Sequence, residues 1–316
     1  MGYQPKTQLE LYDAFWSDMN DHYALFEQRN VDWNAINTVY RPQINATTTD
    51  DELWNLFCDI VAELNDAHTY VRNMSSGVST PNGYSLLDSQ FSSIQIDLLL
   101  EQNMAQVVYD LSYGKVANAN IGYLYINQLI DYDLEAIDEL VAKVANCDAF
   151  IIDLRQCQGG SGVYAVRLAS YFVDNNATEI YYQIKSDSGE NEFSEKVPNP
   201  HYINNVSYAD RPVVVLTSSA TVSAGEWLTA ILKTSANVTQ VGLTTNGSFS
   251  VRSLPRYLPN GWQYYYSSTF VTLSDGTSPE GVGCVPDIEV ANRYREGDTT
   301  EYMMQTAINL LTNGSN

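Results

Sequence analysis

Basic residues are scarce in this 316-residue chain: 16 Lys and Arg stand against 38 Asp and Glu, for a formal net charge of −22. That balance excludes binding to nucleic acid through a basic face, and anionic membrane surfaces repel such a chain. Histidine is rarer still, at His22, His68 and His201 only. The four cysteines, Cys58, Cys147, Cys157 and Cys284, are widely spaced and form no CxxC pair. This argues against a zinc site and a dense disulfide framework, and leaves one or two disulfides open. No apolar run reaches the ~18 residues that a membrane-spanning helix needs. The N-terminus carries no signal-peptide pattern, and Lys6 occupies the Ser/Thr position of a myristoylation signal. Neither GxGxxG nor GxxxxGK[ST] occurs. What is present is a 44% hydrophobic, 12% aromatic composition, that of a globular chain long enough for a large core in two parts.

Residues 5 to about 73 read as helical, with Leu9, Leu11, Phe15, Met19 and Tyr23 along one stripe. A second helix starts near Thr49, with Asp50 and Asp51 in its first turn, and stops at residues 65–69. A turn-rich stretch from Met74 follows. Residues 93–111 read as two strands joined near Gln102 and Asn103. Residues 121–126 read as a further strand, 133–144 as an amphipathic helix, and 149–155 as a strand buried on both faces. Strands at 178–184, 212–217 and 238–243 alternate with helices, so βα units around a mostly parallel sheet are expected from about 120 to 245. Two strand-rich segments, residues 248–258 and 262–273, precede a final helix over about 300–311.

The densest chemical signal is VVVLTSSATVSAGEWLTAILK, residues 213–233. An apolar strand turns through small residues into a helix that begins at Ser223. A hydroxyl there faces unpaired backbone N–H groups and the positive end of the helix dipole, which suits a nucleophile whose product carries an oxyanion. Ser223 with Glu226 is equally a capping box, a purely structural device. His68 has the same double reading, as a cap for the carbonyls of the preceding helix or as a general base. DLRQCQGGSG, residues 153–162, is a buried strand running into a Gly-rich loop whose bare N–H groups could approach an oxyanion. Asp153 and Arg155 read as anchors of that loop through an internal ion pair. Glu280, alone, reads as an exposed loop acid.

Taken together, DLRQCQGG, TSSATVSAGE, VGLTTNG and PEGVGCVPDIEV, in this order and spacing, resemble the S41 serine peptidases, among them the C-terminal processing proteases and the tricorn protease core. LWNLFCDIVAELNDAHTYV resembles the helical N-terminal part of the tricorn-like branch. The resemblance spans about residues 10 to 311. It implies an α/β fold with a ClpP/crotonase-like catalytic core (119–316), a helical N-terminal domain (1–74), a linker and β-hairpin region between them (75–118), and an active site between the two domains. Residue by residue, Ser223 matches the nucleophile, His68 the base and Glu280 the acid that orients the imidazole. Ala224 and one of Gly159 or Gly160 match the oxyanion donors.

Two departures from the family pattern stand out. The processing branch uses a lysine base where this chain has Ser248, which favours His68; and Cys157 replaces the usual Asn of the DLRxN loop. Residues 74–118 are too few for a PDZ domain of roughly 80–100 residues. The resemblance implies a peptide or unfolded protein as substrate and no metal or organic cofactor; it leaves the oligomeric state open. It also implies an exported protein, periplasmic or at the cell surface, whose leader is absent from this sequence, with the cytoplasm as the other reading. Two other functions fit the same fold. A non-catalytic binder of an apolar ligand or peptide could use the tyrosines around 262–266. A crotonase-like acyl-transforming enzyme is disfavoured by the acidic surface.

Overall fold

Strands whose residues are apolar on both faces belong inside a parallel sheet, and two of them set the architecture. Every residue of Ala149–Asp153 and of Val213–Thr217 is buried. They pair in parallel, Phe150 opposite Val213 and Asp153 opposite Leu216. The computed structural model describes residues 7–81, 90–130, 133–174, 180–185, 192–199, 204–292 and 300–313. His201 and the start of the 178–184 strand lie outside them.

The chain divides into two compact units. One comprises Met1–Leu86, Tyr182–Val197 and Ser250–Thr272; the other Leu87–Tyr181, Pro198–Phe249 and Leu273–Asn316.

The first unit is built on the helices Gln8–His22, Trp33–Tyr40 and Asp50–Leu64. Thr7 with Glu10, and Thr49 with Glu52, form capping boxes that start two of them. The third ends where Asn65 turns into the left-handed region, φ 44°. Leu11, Phe15, Met19, Phe57, Ile60 and Leu64 meet in one core with Trp262 and Tyr264. The helical reading of residues up to 73 needs correction here. Tyr70–Asn73 is a strand, paired antiparallel with Trp262–Tyr265, a partner nearly 200 residues away that local pattern cannot reveal.

In the second unit a seven-stranded sheet runs in the order Ile288–Glu289, Val238–Gly242, Val213–Thr217, Ala149–Asp153, Ile121–Ile126, Leu111–Lys115, Ala105–Val108. The first five strands are parallel and the last two antiparallel. The helices Leu134–Ala142, Gly162–Ala169 and Ala224–Leu232 supply the crossovers between successive parallel strands. The C-terminal helix, Tyr302–Asn313, packs Met303, Met304 and Ala307 into a core with Val214, Leu216 and Val241. The first of the two strands expected in 93–111 is instead a short helix, Ser93–Asp97. Its I-x-I alternation suggested a strand, but only Ile96 of that helix is buried.

One buried ion network anchors the sheet. Arg155 is fully buried; its Nη2 lies 2.6 Å from Asp153 Oδ2 and its Nη1 2.9 Å from Glu301 Oε2. Nη1 also donates to Gln90 O, the guanidinium lies 5.3 Å from the Phe91 ring centroid, and Tyr123 donates its hydroxyl to Asp153. The expected internal ion pair of Asp153 and Arg155 is therefore present. A buried charge that loses its partner is costly. Arg155→Met, which strands two buried carboxylates, should lower stability by about 3–5 kcal/mol. Urea unfolding measures this, and a loss below about 1 kcal/mol would contradict the buried geometry.

Candidate active site

In open α/β sheets, functional groups gather beyond the carboxyl ends of parallel strands. Three neighbouring strands of the second unit, ending at Asp153, Thr217 and Gly242, send out the loops 154–161, 218–223 and 243–249. Backbone and hydroxyl bonds tie the first two together. Ser218 Oγ donates to Arg155 O, Thr221 Oγ1 to Leu154 O, and Val222 N to Cys157 O.

That turn delivers Ser223 with φ 55° and ψ −119°, directly before the helix Ala224–Leu232. An ordinary N-cap serine sits in the extended region. A non-glycine residue at positive φ costs of order 1–3 kcal/mol and persists where the surroundings over-determine it. The capping reading accounts for the bond from Ser223 N to Glu226 Oε2 at 3.1 Å. It does not account for the backbone.

Gly159 lies against this elbow. A Cβ at Gly159 would stand 2.6 Å from Ser223 Cβ and 3.0 Å from Ala224 N, and its φ of 91° also calls for glycine. Gly160 is seated differently. A Cβ there would collide with Leu129 O, and the loop is stitched to Leu129 by Leu129 N to Gly159 O and Ser161 N to Leu129 O. The structure thus brings Gly159 and Ala224 to Ser223, and places Gly160 one step away along the Leu129 bridge. Cys157, in place of the usual Asn, packs behind them: its Sγ would be 2.9 Å from a Cβ at Gly225. Burial pushes the Cys157 thiol up to about 12, only partly offset by the Gly159 amide, so the thiol is neutral.

Glu280 is buried at 5% exposure, which corrects the reading of an exposed loop acid. Its Oε2 accepts the Phe249 N–H at 2.9 Å. Glu226, assigned above to a helix cap alone, is fully buried and accepts four bonds. Oε1 takes Thr245 Oγ1 and Gly247 N, both at 2.6 Å; Oε2 takes Ser223 N and, at 2.7 Å, Ser248 N. Burial still pushes its carboxyl up to about 7, against the lowering effect of these donors. Sequence reasoning missed this role. The Ser-x-x-Glu spacing was visible, but the partners 19 to 22 residues away were not. Ser248, at the place of the processing branch's lysine, is buried, and its hydroxyl bonds Asn246 Oδ1.

His68 belongs to the first unit. The preceding helix ends at Leu64, so His68 does not cap it. Asp66 fixes the turn instead, accepting His68 N at 3.0 Å and Thr69 Oγ1 at 2.7 Å. The imidazole is 6% exposed and its Nδ1 is buried with no hydrogen-bond partner among the described residues. Burial lowers its pKa below 6.5, opposed by the Asp66 charge. A neutral imidazole with an unused buried nitrogen is suited to take a proton. Among the described residues, no group of three or more His, Cys, Asp or Glu side chains is placed to hold a metal ion.

Comparison with known proteins supplies the context. The model of peptidase family S41 matches residues 120–290, and that of the tricorn protease C1 domain matches residues 5–62. The carboxy-terminal processing protease CtpA of Bacillus subtilis (strain 168) is 26% identical over 220 residues, 65% of this chain and 44% of that protein. This chain spans less than half the length of the curated relatives that it matches. A solved chain from Parabacteroides merdae ATCC 43184, described as a peptidase, superposes with a TM-score of 0.83 at 26% identity, covering 97% of each chain. Mature CPAF bound to lactacystin gives a TM-score of 0.69 at 14% identity over 98% of this chain and 99% of that one, a likeness of fold alone. The two superposed chains share the α/β fold, helical N-terminal region included, that the sequence implies for this chain.

The His68 environment makes a stability prediction. Its folded pKa lies below the unfolded value near 6.5. Between the two, the unfolded chain binds the proton that the folded chain refuses, so stability rises with pH there and is lost as pH falls through that window. His68→Gln should therefore flatten the decline in urea-unfolding free energy between pH 7.5 and 5.5. Identical slopes for wild type and variant would show that the imidazole titrates normally.

Proposed function

This chain belongs to peptidase family S41, and from that premise we propose that it is a serine-type peptidase hydrolysing peptide bonds through an acyl-enzyme, with Ser223 as nucleophile. The observation that carries the reading is the Ser223 backbone. A strained φ of 55° at the mouth of a helix, with a glycine backbone pressed against it, is the arrangement that exposes a nucleophile to oxyanion donors.

In the proposed reaction His68 takes the Ser223 proton as Oγ attacks the peptide carbonyl. The oxyanion is received by N–H groups from the Gly159–Gly160 loop and from Ala224. Collapse releases the amine, which takes a proton from the His68 imidazolium, and leaves Ser223 acylated. Water then attacks the ester with His68 again as base, and the acid leaves. Glu280 is assigned the orienting role toward His68. It is buried, and its Oε2 accepts the Phe249 N–H from the loop that follows the Val238–Gly242 strand. The substrate is a peptide or an unfolded protein, and the protein works outside the cytoplasm. No helix among the described residues is long and apolar enough to cross a membrane.

A fluorophosphonate probe tests the assignment. It should label the wild type at Ser223, and Ser223→Ala should abolish labelling and hydrolysis of unfolded casein while lowering stability by only about 1 kcal/mol. Because the base must be neutral and its pKa is lowered, labelling should rise with pH to a plateau from a midpoint below 6.5. Labelling at another serine, or undiminished labelling of His68→Ala, rules the assignment out.

A further inference from the structure

Glu226 makes more contacts than a helix cap requires, and those contacts point in two directions. One is the nucleophile: Oε2 accepts the Ser223 N–H. The other is the loop 245–249, which supplies Thr245 Oγ1, Gly247 N and Ser248 N to the same carboxylate. That loop in turn carries the segment around Glu280. Gly281 N donates to Gly247 O, Phe249 N to Glu280 Oε2, Cys284 N to Thr245 Oγ1 and Thr245 N to Cys284 O. Gly247 is in the left-handed region at φ 84°, and a Cβ there would strike Val282 N at 2.9 Å, so the two segments are in close contact.

We propose that Glu226 is a positioning residue of the hydrolytic reaction, its carboxylate fixing the Ser223 elbow and the Glu280 segment relative to one another. This rests on the serine-peptidase reading above and adds to it a group that touches neither substrate nor the transferred proton. The donor set explains why the residue is a glutamate. Each carboxylate oxygen faces two hydrogens, on Thr245 and Gly247 at one and on Ser223 and Ser248 at the other. A glutamine of the same shape must turn its NH2 toward one of these pairs. Three of the four donors are backbone N–H groups that cannot reverse. Either orientation sets an N–H against an N–H inside a buried site, so the loop or the elbow must move. A displacement of about 1 Å at reacting groups costs roughly 100-fold in rate.

The test is Glu226→Gln, read in two ways. With a fluorophosphonate probe, the maximal inactivation rate should fall roughly 100-fold while the probe's half-saturating concentration stays within about threefold, the split expected of misplaced groups in an intact pocket. By hydrogen exchange, the amides of Gly247, Ser248, Phe249, Gly281 and Cys284 should lose protection, while Leu228, Ile231 and Leu232 in the same helix keep theirs. Should Glu226→Gln fail to fold, Thr245→Val decides. It removes one of the four donors and should slow inactivation roughly fivefold, the kinetic equivalent of one hydrogen bond. An inactivation rate within twofold of wild type in Glu226→Gln, or in Thr245→Val where that variant decides, overturns the proposal, as does unchanged exchange at the five amides. If the wild type itself is not labelled at Ser223, the peptidase reading fails, and the exchange experiment still reports on Glu226 as the link between the two segments.

Discussion

A single backbone torsion organises the second unit. Ser223 holds φ 55°, which no local preference of serine favours, so its neighbours must supply the compensation. They do so on three sides. Val222 N is bound to Cys157 O, Asn246 N to Thr221 O, and the Ser223 amide to the buried Glu226 carboxylate. Cys157 and Asn246 lie on loops that leave two other strands of the sheet, and Glu226 stands in the helix that Ser223 opens. The strain is sustainable because those strands are themselves fixed by burial on both faces, and it would relax if any of the loops shifted.

The same logic explains the residue types around the elbow. Gly159 and Gly225 are small because backbone and thiol atoms stand where a side chain would begin. Cys157 fits because Gly225 leaves it room, and burial keeps its thiol neutral, so the substitution for the usual Asn introduces neither a charge nor a competing nucleophile. Thr217, Thr221, Ser218 and Thr245 are buried hydroxyls, and each donates to a carbonyl or a carboxylate. The turn is thus polar in composition yet satisfied internally, which keeps it rigid.

Much of this was legible in the sequence, and the limits have physical causes. The buried strands 149–153 and 213–217 announced themselves as apolar runs, and the helix start near Thr49 showed in the acids of its first turn. Ser223 was singled out by a strand–turn–helix pattern that is local, whereas Ala224 and one of Gly159 or Gly160 came from the S41 resemblance. What escaped was set by distant partners. Tyr70–Asn73 became a strand because Trp262–Tyr265 offers it an edge. Ser93–Asp97 became a helix although its alternation suggested a strand. Glu280 is buried and bound by the Phe249 N–H, 31 residues away, and Glu226 gathers donors from residues 245, 247 and 248. Such pairings leave no periodic trace in a single chain.

The Arg155 network has a consequence for how the molecule is made. Its guanidinium is neutralised by Asp153, two residues away, and by Glu301, 146 residues further on. A chain emerging from the ribosome presents the arginine long before the second carboxylate exists. Until residue 301 arrives, the strand that feeds the glycine loop cannot bury its charge in the final arrangement, and the Asn292 side chain that binds Glu301 waits as well. The closing step of folding is therefore assigned to the last helix, Tyr302–Asn313, whose Met303 and Met304 seal the core over the central strands. Chains that lack residue 301 would be held open at the very loop that packs against Ser223, and so the elbow takes its final form only after that carboxylate has been made.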